Sequence, residues 1–208
     1  MTLRHLMTRQ ILRYTTAAFY AVPHLASAQR PDLAAASALI ARVVPGHAAD
    51  FTVATLPSDS GRDVFEVAQN GATIALRGSS GVAIASALNW YLEHVANVNV
   101  SLPFKPVVLP RALPRVLAVV HIVTPYETRY FFNYCTFSYS MAWWNWSEWE
   151  RMIDWMALKG INTPLAVTGQ EAVWRAVLRD MGFSHDQVAA FIVGPAYLPW
   201  GWMGNIDG

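Results

Sequence analysis

Leu33, Ala36, Leu39, Ile40, Val43 and Val44 recur at three- and four-residue intervals, the spacing of one helical face. Pro31 and Asp32 open that helix, and Pro45-Gly46 closes it. Residues 51–55 form a short apolar run of strand type. Residues 64–68 and 72–76 flank Gln69-Asn70-Gly71. Asn and Gly both tolerate positive φ, so this reads as a hairpin. Gly78-Ser79-Ser80-Gly81 then leads into a helix from 82 to about 95. A glycine-rich turn before a helix can hold phosphate. This one lacks a P-loop lysine and the spacing of a dinucleotide fingerprint, and it reads as a connector. Residues 31–102 therefore form a small α+β unit.

Pro103, Pro106, Pro110, Pro114 and Pro125 make 103–126 an extended linker, with a strand around 116–123. Beyond it, strand and helix alternate. Residues 130–138 read as a strand. Asn145 is an N-cap, with Glu148 its capping-box partner. Trp149, Met152, Ile153 and Met156 then repeat on one apolar face. Lys159 sits in the last turn and Gly160 takes the C′ place. Residues 165–167 predict a short buried strand. Residues 170–181 predict a helix burying Val173, Trp174, Val177 and Met181, ended by Gly182. Ser184 with Gln187 caps a third helix, to about 193. Such alternation predicts parallel βαβ units, in which loops after the strands carry function.

Composition narrows the chemistry. Fifteen basic against fourteen acidic residues leave net +1, with no basic stripe, so nucleic acid is not an expected partner. No apolar run reaches the length of a membrane span. The single Cys135 allows no internal disulfide, and the six scattered histidines suggest no metal site; no cofactor is expected. Arg4, Arg9 and Arg13, an apolar stretch over 15–26 and Ala26-Ser27-Ala28 resemble a secretion signal over residues 1–28. That predicts a secreted or periplasmic protein.

Eight of the nine tryptophans lie between Trp143 and Trp202. Two readings are open for such a cluster: packed core, or a wall for a flat ligand such as a sugar ring. The segments FFNYCTFSYSMAWWNWSEWERMIDWMALKGIN, TGQEAVW and GPAYLPWGWMGN carry a resemblance. They resemble the α-N-acetylglucosaminidase family, which includes a lysosomal heparan-degrading exoglycosidase and bacterial relatives. The likeness is strong over 130–205 and weaker over 31–102.

The resemblance implies an α/β architecture: a small α+β N-terminal domain, then the first βα units of a (β/α)8 barrel over 127–208. It implies a retaining glycoside hydrolase that removes terminal α-linked N-acetylglucosamine from a glycan, lysosomal if the source is an animal. Asn133, Cys135, Trp200 and Met203 match the family's sugar pocket. Asn133 is expected to bond sugar hydroxyls, Trp200 to face the ring, and Cys135 and Met203 to shape the wall. Gln170 and Glu171 match support residues.

Retaining hydrolysis needs two carboxyls about 5 Å apart. The resemblance implies that the family's glutamate pair lies beyond residue 208. Glu148 and Glu150 stand in a helix's first turn and Asp154 is mid-helix. Glu171, past the second strand, is the one weak catalytic candidate. The chain is expected to be a truncated N-terminal portion, inactive alone. A non-catalytic carbohydrate-binding module and a non-functional fragment are the alternatives.

Overall fold

A computed structural model describes residues 32–102 and 107–203; the leader expected over residues 1–28 lies outside them. The first elements are α1 (Leu33–Val43), β1 (Phe51–Thr55), β2 (Val64–Asn70), β3 (Thr73–Gly78), α2 (Gly81–His94) and β4 (Val120–Val123). There follow β5 (Tyr130–Phe131), α3 (Tyr134–Tyr139), α4 (Trp146–Leu158), β6 (Thr163–Pro164), α5 (Gln170–Asp180), α6 (His185–Phe191) and α7 (Leu198–Trp202). They fall into two compact units: Ala28–Phe131 with Trp144–Pro164, and Phe132–Trp143 with Leu165–Gly208, of which residues 204–208 lie outside the described residues.

In the unit that holds Ala28–Phe131, the sheet order is β1-β3-β2-β4. β1 runs parallel to β3, and β2 pairs antiparallel with both β3 and β4. The Asn70–Thr73 hairpin sets a register in which Val67 lies opposite Leu76 and Val120. Alternation then puts Phe65, Val67, Ile74 and Leu76 on one buried face. α1 and α2 cover the core with Leu39, Ile40, Val43, Ile84 and Leu88. Asp32 caps α1 by accepting from the Ala34 and Ala35 amides, and Ser80 caps α2 by accepting from Ala83. Tyr91 is fully buried; its hydroxyl donates to the Pro114 carbonyl at 2.9 Å, and burial pushes its phenol up to about 12.

The expected strand around 116–123 is β4, which joins this sheet. α4 also belongs to this unit. Leu158 enters its core, and Trp155 donates from Nε1 to the Val100 carbonyl at 3.3 Å. The expected Asn145–Glu148 capping box is present. Met152 and Met156 are buried as predicted, but Ile153 is exposed and the buried carboxylate Asp154 was not foreseen. Arg42 holds that carboxylate with two hydrogen bonds of 2.6 Å.

β5 and β6 pair in parallel. One arginine ties their starting ends to the sheet. Arg129 donates from its guanidinium to Asp63, to the Gly160 carbonyl and to the Tyr126 carbonyl, while its amide donates to Asn162 Oδ1 at 2.8 Å. Asn162 donates in turn to the Glu127 carbonyl at 2.8 Å.

The expected strand over 130–138 is a two-residue strand followed by a helix. Aromatic and β-branched residues favour extended backbone, but Phe132 turns to φ 79° and Asn133 caps α3, so local hydrogen bonding overrides propensity. The strand expected over 165–167 is likewise shorter and earlier, at Thr163–Pro164. α5 forms as expected, yet Val173 is 64% exposed and Val177 43%. The side of α5 that is covered carries Leu178, which packs with Phe183 and Val188. Ser184 and Gln187 make the expected capping box on α6.

Candidate functional site

The site builds from the turn after β5. A bulky residue at positive φ is uncommon, and Phe132 holds φ 79° with its ring 5.3 Å from that of Phe137. Backbone held in a sparsely populated region concentrates at functional turns. Asn133 follows immediately. Its Oδ1 accepts from the Thr136 amide at 3.1 Å and from the Thr136 hydroxyl at 2.9 Å. Both acceptor directions are thus committed to the cap, while the side chain stays exposed. What Asn133 can offer a ligand is its Nδ2 donor.

Cys135 stands one residue inside α3, half-buried and free. Tyr139 lies one helical turn on, at i+4, and so on the same face. α3 packs against α7 and the 3₁₀ turn Pro195–Tyr197 before it. The contact includes an edge-to-face pair, Tyr139 against Trp200, with centroids 5.3 Å apart and planes at 87°. Trp200 is half-buried, and Met203, the C-cap of α7, is 42% exposed. Gly201 brings α7 in close. A Cβ there would meet Val193 Cγ2 at 2.5 Å, a separation that atoms do not tolerate.

Four of the six positions singled out from sequence therefore fall on two elements in contact, α3 with its cap and α7 with its cap; Gln170 opens α5. Glu171 falls elsewhere. It is the second residue of α5 and lines a cleft of about 660 Å³ between α5 and α6, with Arg175, Arg179 and His185. Its Oε2 is buried without a hydrogen-bond partner among the described residues. None of Asn133, Cys135, Trp200 or Met203 lines that cleft. Sequence reasoning missed Phe132, Tyr139 and Gly201. Tyr139 had a usable signal, its i+4 relation to Cys135, which appears only once the segment is read as a helix.

The tryptophans fall in both units. Trp155 packs against the core of its unit, and Trp144 and Trp149 meet edge to face at 5.3 Å. Trp200 stands in the other unit beside Tyr139. Among the described residues no group of His, Cys, Asp or Glu could hold a metal ion, and no helix is long and apolar enough to cross a membrane.

Comparisons with known proteins bear on this arrangement. Residues 34–115 match the family profile described as Alpha-N-acetylglucosaminidase (NAGLU) N-terminal domain. Residues 129–208 match the Alpha-N-acetylglucosaminidase (NAGLU) tim-barrel domain. Human alpha-N-acetylglucosaminidase is 44% identical over 180 residues, covering 84% of this chain and 24% of the human protein. The family 89 glycoside hydrolase from Clostridium perfringens, solved with 2-acetamido-1,2-dideoxynojirmycin, is 38% identical with a TM-score of 0.79. That match covers 85% of this chain and 20% of the bacterial one. The Clostridium perfringens enzyme has also been solved with two glutamates replaced by glutamine, in complex with its substrate GlcNAc-alpha-1,4-galactose. There it matches at 38% identity with a TM-score of 0.79, over 85% of this chain and 20% of that one. The chain spans about a fifth to a quarter of the length of these relatives.

Proposed function

The chain belongs to the α-N-acetylglucosaminidase family, with its N-terminal domain and the beginning of its barrel, and on that premise we propose that it forms part of a retaining exo-α-N-acetylglucosaminidase. The reaction is hydrolysis of a terminal α-linked N-acetylglucosamine from a glycan, in a protein exported from the cytoplasm. The observation that carries this reading is the meeting of α3 and α7. Their contact gathers an amide with a free donor, a half-buried thiol and an indole in one unit of a chain colinear with both family domains.

Each side chain has a distinct task. Asn133 Nδ2 donates to a sugar hydroxyl, while its Oδ1 stays on Thr136 and keeps the amide from rotating. Trp200 gives the C–H face of the ring an apolar surface. Cys135 and Met203 bound the space around the acetamido sugar. These groups bind and orient; they do not move protons. Retaining hydrolysis needs one carboxyl to protonate the leaving oxygen and a second to attack the anomeric carbon, about 5 Å from the first. Glu171 lines a different cleft, so its role is to support the start of α5 rather than to act on the bond. The catalytic pair is then supplied by barrel residues outside the described ones.

Hydrolysis of an α-N-acetylglucosaminide by the full-length protein tests this. Asn133→Ala is expected to lower kcat/KM by about 5- to 150-fold, equivalent to roughly 1–3 kcal/mol, because a buried polar group on the sugar loses its partner. Trp200→Ala lowers it as well. The polypeptide of residues 1–208 alone shows no turnover, with or without Glu171→Gln. Full activity in both pocket variants, or turnover by the short polypeptide that Glu171→Gln abolishes, overturns the assignment.

A further inference from the structure

An exo-acting site must hold two things: the sugar that is removed and whatever it is removed from. Asn133, Cys135, Trp200 and Met203 account for the first. We propose that Tyr139 is the platform for the second sugar, the ring on the leaving side of the bond.

The argument starts from α3. Asn133 caps its N-terminal end and Tyr139 is its last residue. At 1.5 Å per residue the two lie about 9 Å apart along the helix, room for one more ring beyond that held at the cap. Cys135 and Tyr139, four residues apart, share a face, so a chain of sugars leaving the cap past Cys135 runs toward the tyrosine. Within this stretch of chain Tyr139 is 74% exposed, although it is a large aromatic on a helix that buries Phe137. It is nevertheless not free to swing, because Trp200 packs against it at 87°. An exposed aromatic ring braced by a neighbour presents a flat apolar surface at little conformational cost. Its hydroxyl at the rim can bond a sugar oxygen. A hexopyranose, with one C–H face and a border of hydroxyls, fits that chemistry.

Trp200 links the two positions physically, since it serves the first sugar and braces the platform for the second. The proposal rests on the function set out above. It adds that the site prefers a saccharide to a small leaving group; the bacterial relative was solved with a disaccharide substrate.

The test compares two substrates in the full-length protein: GlcNAc-α-1,4-galactose, and α-N-acetylglucosaminyl fluoride, which has no second ring. Tyr139→Ala is expected to raise KM for the disaccharide by about three- to tenfold, the worth of one stacking contact. Its kcat/KM for the fluoride and its inhibition by 2-acetamido-1,2-dideoxynojirimycin fall by less than its disaccharide affinity does, because Trp200 loses its brace but keeps its place on α7. Tyr139→Leu, which keeps bulk without a flat face, behaves like Tyr139→Ala. Tyr139→Phe keeps most of the disaccharide affinity. Equal losses on both substrates would make Tyr139 part of the first sugar's wall and overturn the proposal. Unchanged kinetics on the disaccharide would overturn it too. A wild-type protein that turns over neither substrate removes the function itself, and this inference with it. A wild type active on both, with an indifferent Tyr139→Ala, removes this inference alone.

Discussion

Asp154 has the most buried carboxylate of the ion pairs among the described residues. Its carboxylate is 4% exposed, and Arg42 meets both oxygens, with Glu150 3.8 Å from the same guanidinium. The hydrogen bonds to Asp154 outweigh desolvation and raise the Arg42 pKa above its ordinary value. Removing one partner of such a pair strands the other charge. Arg42→Met is expected to lower unfolding free energy by about 2–4 kcal/mol. This is below the range for fully buried pairs, because Arg42 is more than a third exposed and water screens it. Denaturant midpoints measure this, and Arg42→Met with Asp154→Leu should recover most of the loss. The apolar repeat of α4 was legible in the sequence; the burial of Asp154 was not. Its partner lies 112 residues away, and no local pattern records that separation. Phe132 was hidden for a related reason. Its left-handed backbone is imposed by the cap that follows, while its side chain reads as an ordinary strand residue.

Among the elements, the starts of the four longer helices and of α6 fell where the sequence placed them to within a residue. α3, capped by Asn133 inside an expected strand, and α7 did not. Asp32, Ser80, Asn145 and Ser184 all cap as their residue types dictate. Strands were less legible beyond residue 126, because β5 and β6 extend only as far as their mutual pairing, and pairing is not a local property. α7 carries the clearest expectation at this scale. Gly201 lets it rest on Val193, whose β-branched side chain has little freedom to yield. Gly201→Ala therefore pushes α7 outward and shifts Trp200 relative to Tyr139. Stability should fall by about 1–3 kcal/mol. If the full-length protein hydrolyses as proposed, its turnover should fall with it, and Val193→Ala added to Gly201→Ala should restore both. A Gly201→Ala protein with unchanged melting and unchanged KM would show that α7 tolerates displacement.

For the molecule as a whole, the α2–α4 junction links early and late sequence inside one unit. Lys159 donates to Glu93 at 2.5 Å and to Asn89 at 3.1 Å. Burial by itself raises the Glu93 carboxyl, but the hydrogen bond and charge of Lys159 outweigh it, and the net shift is downward. A carboxyl lowered in the folded state stabilises above its unfolded value near 4.5 and loses that contribution as pH falls through the lowered one. Acid titration of unfolding should show Glu93→Gln shallower than wild type below about pH 4.5, and the two curves should run parallel above pH 6. The α+β character of the first hundred residues could be read from caps, hairpin and periodicity. That α4 closes the same core could not, since its contact residues Leu158 and Trp155 look like any amphipathic helix.

The discontinuity of that unit has a consequence for how the chain is made. β4 completes the sheet at Val123, yet Leu158 and the partner of Arg42 arrive only with α4, and β6 ends at Pro164. During synthesis at ~5–20 residues per second, the roughly forty residues in between take about 2–8 s to emerge. For that interval the nascent sheet and α2 present an uncovered apolar face to the ribosome exit and its chaperones. The segment 132–143, which bears Asn133, Cys135 and Tyr139, is spun out before the fold that flanks it is closed. Residues 132–143 thus leave the ribosome between the two stretches of chain that build the other unit's core.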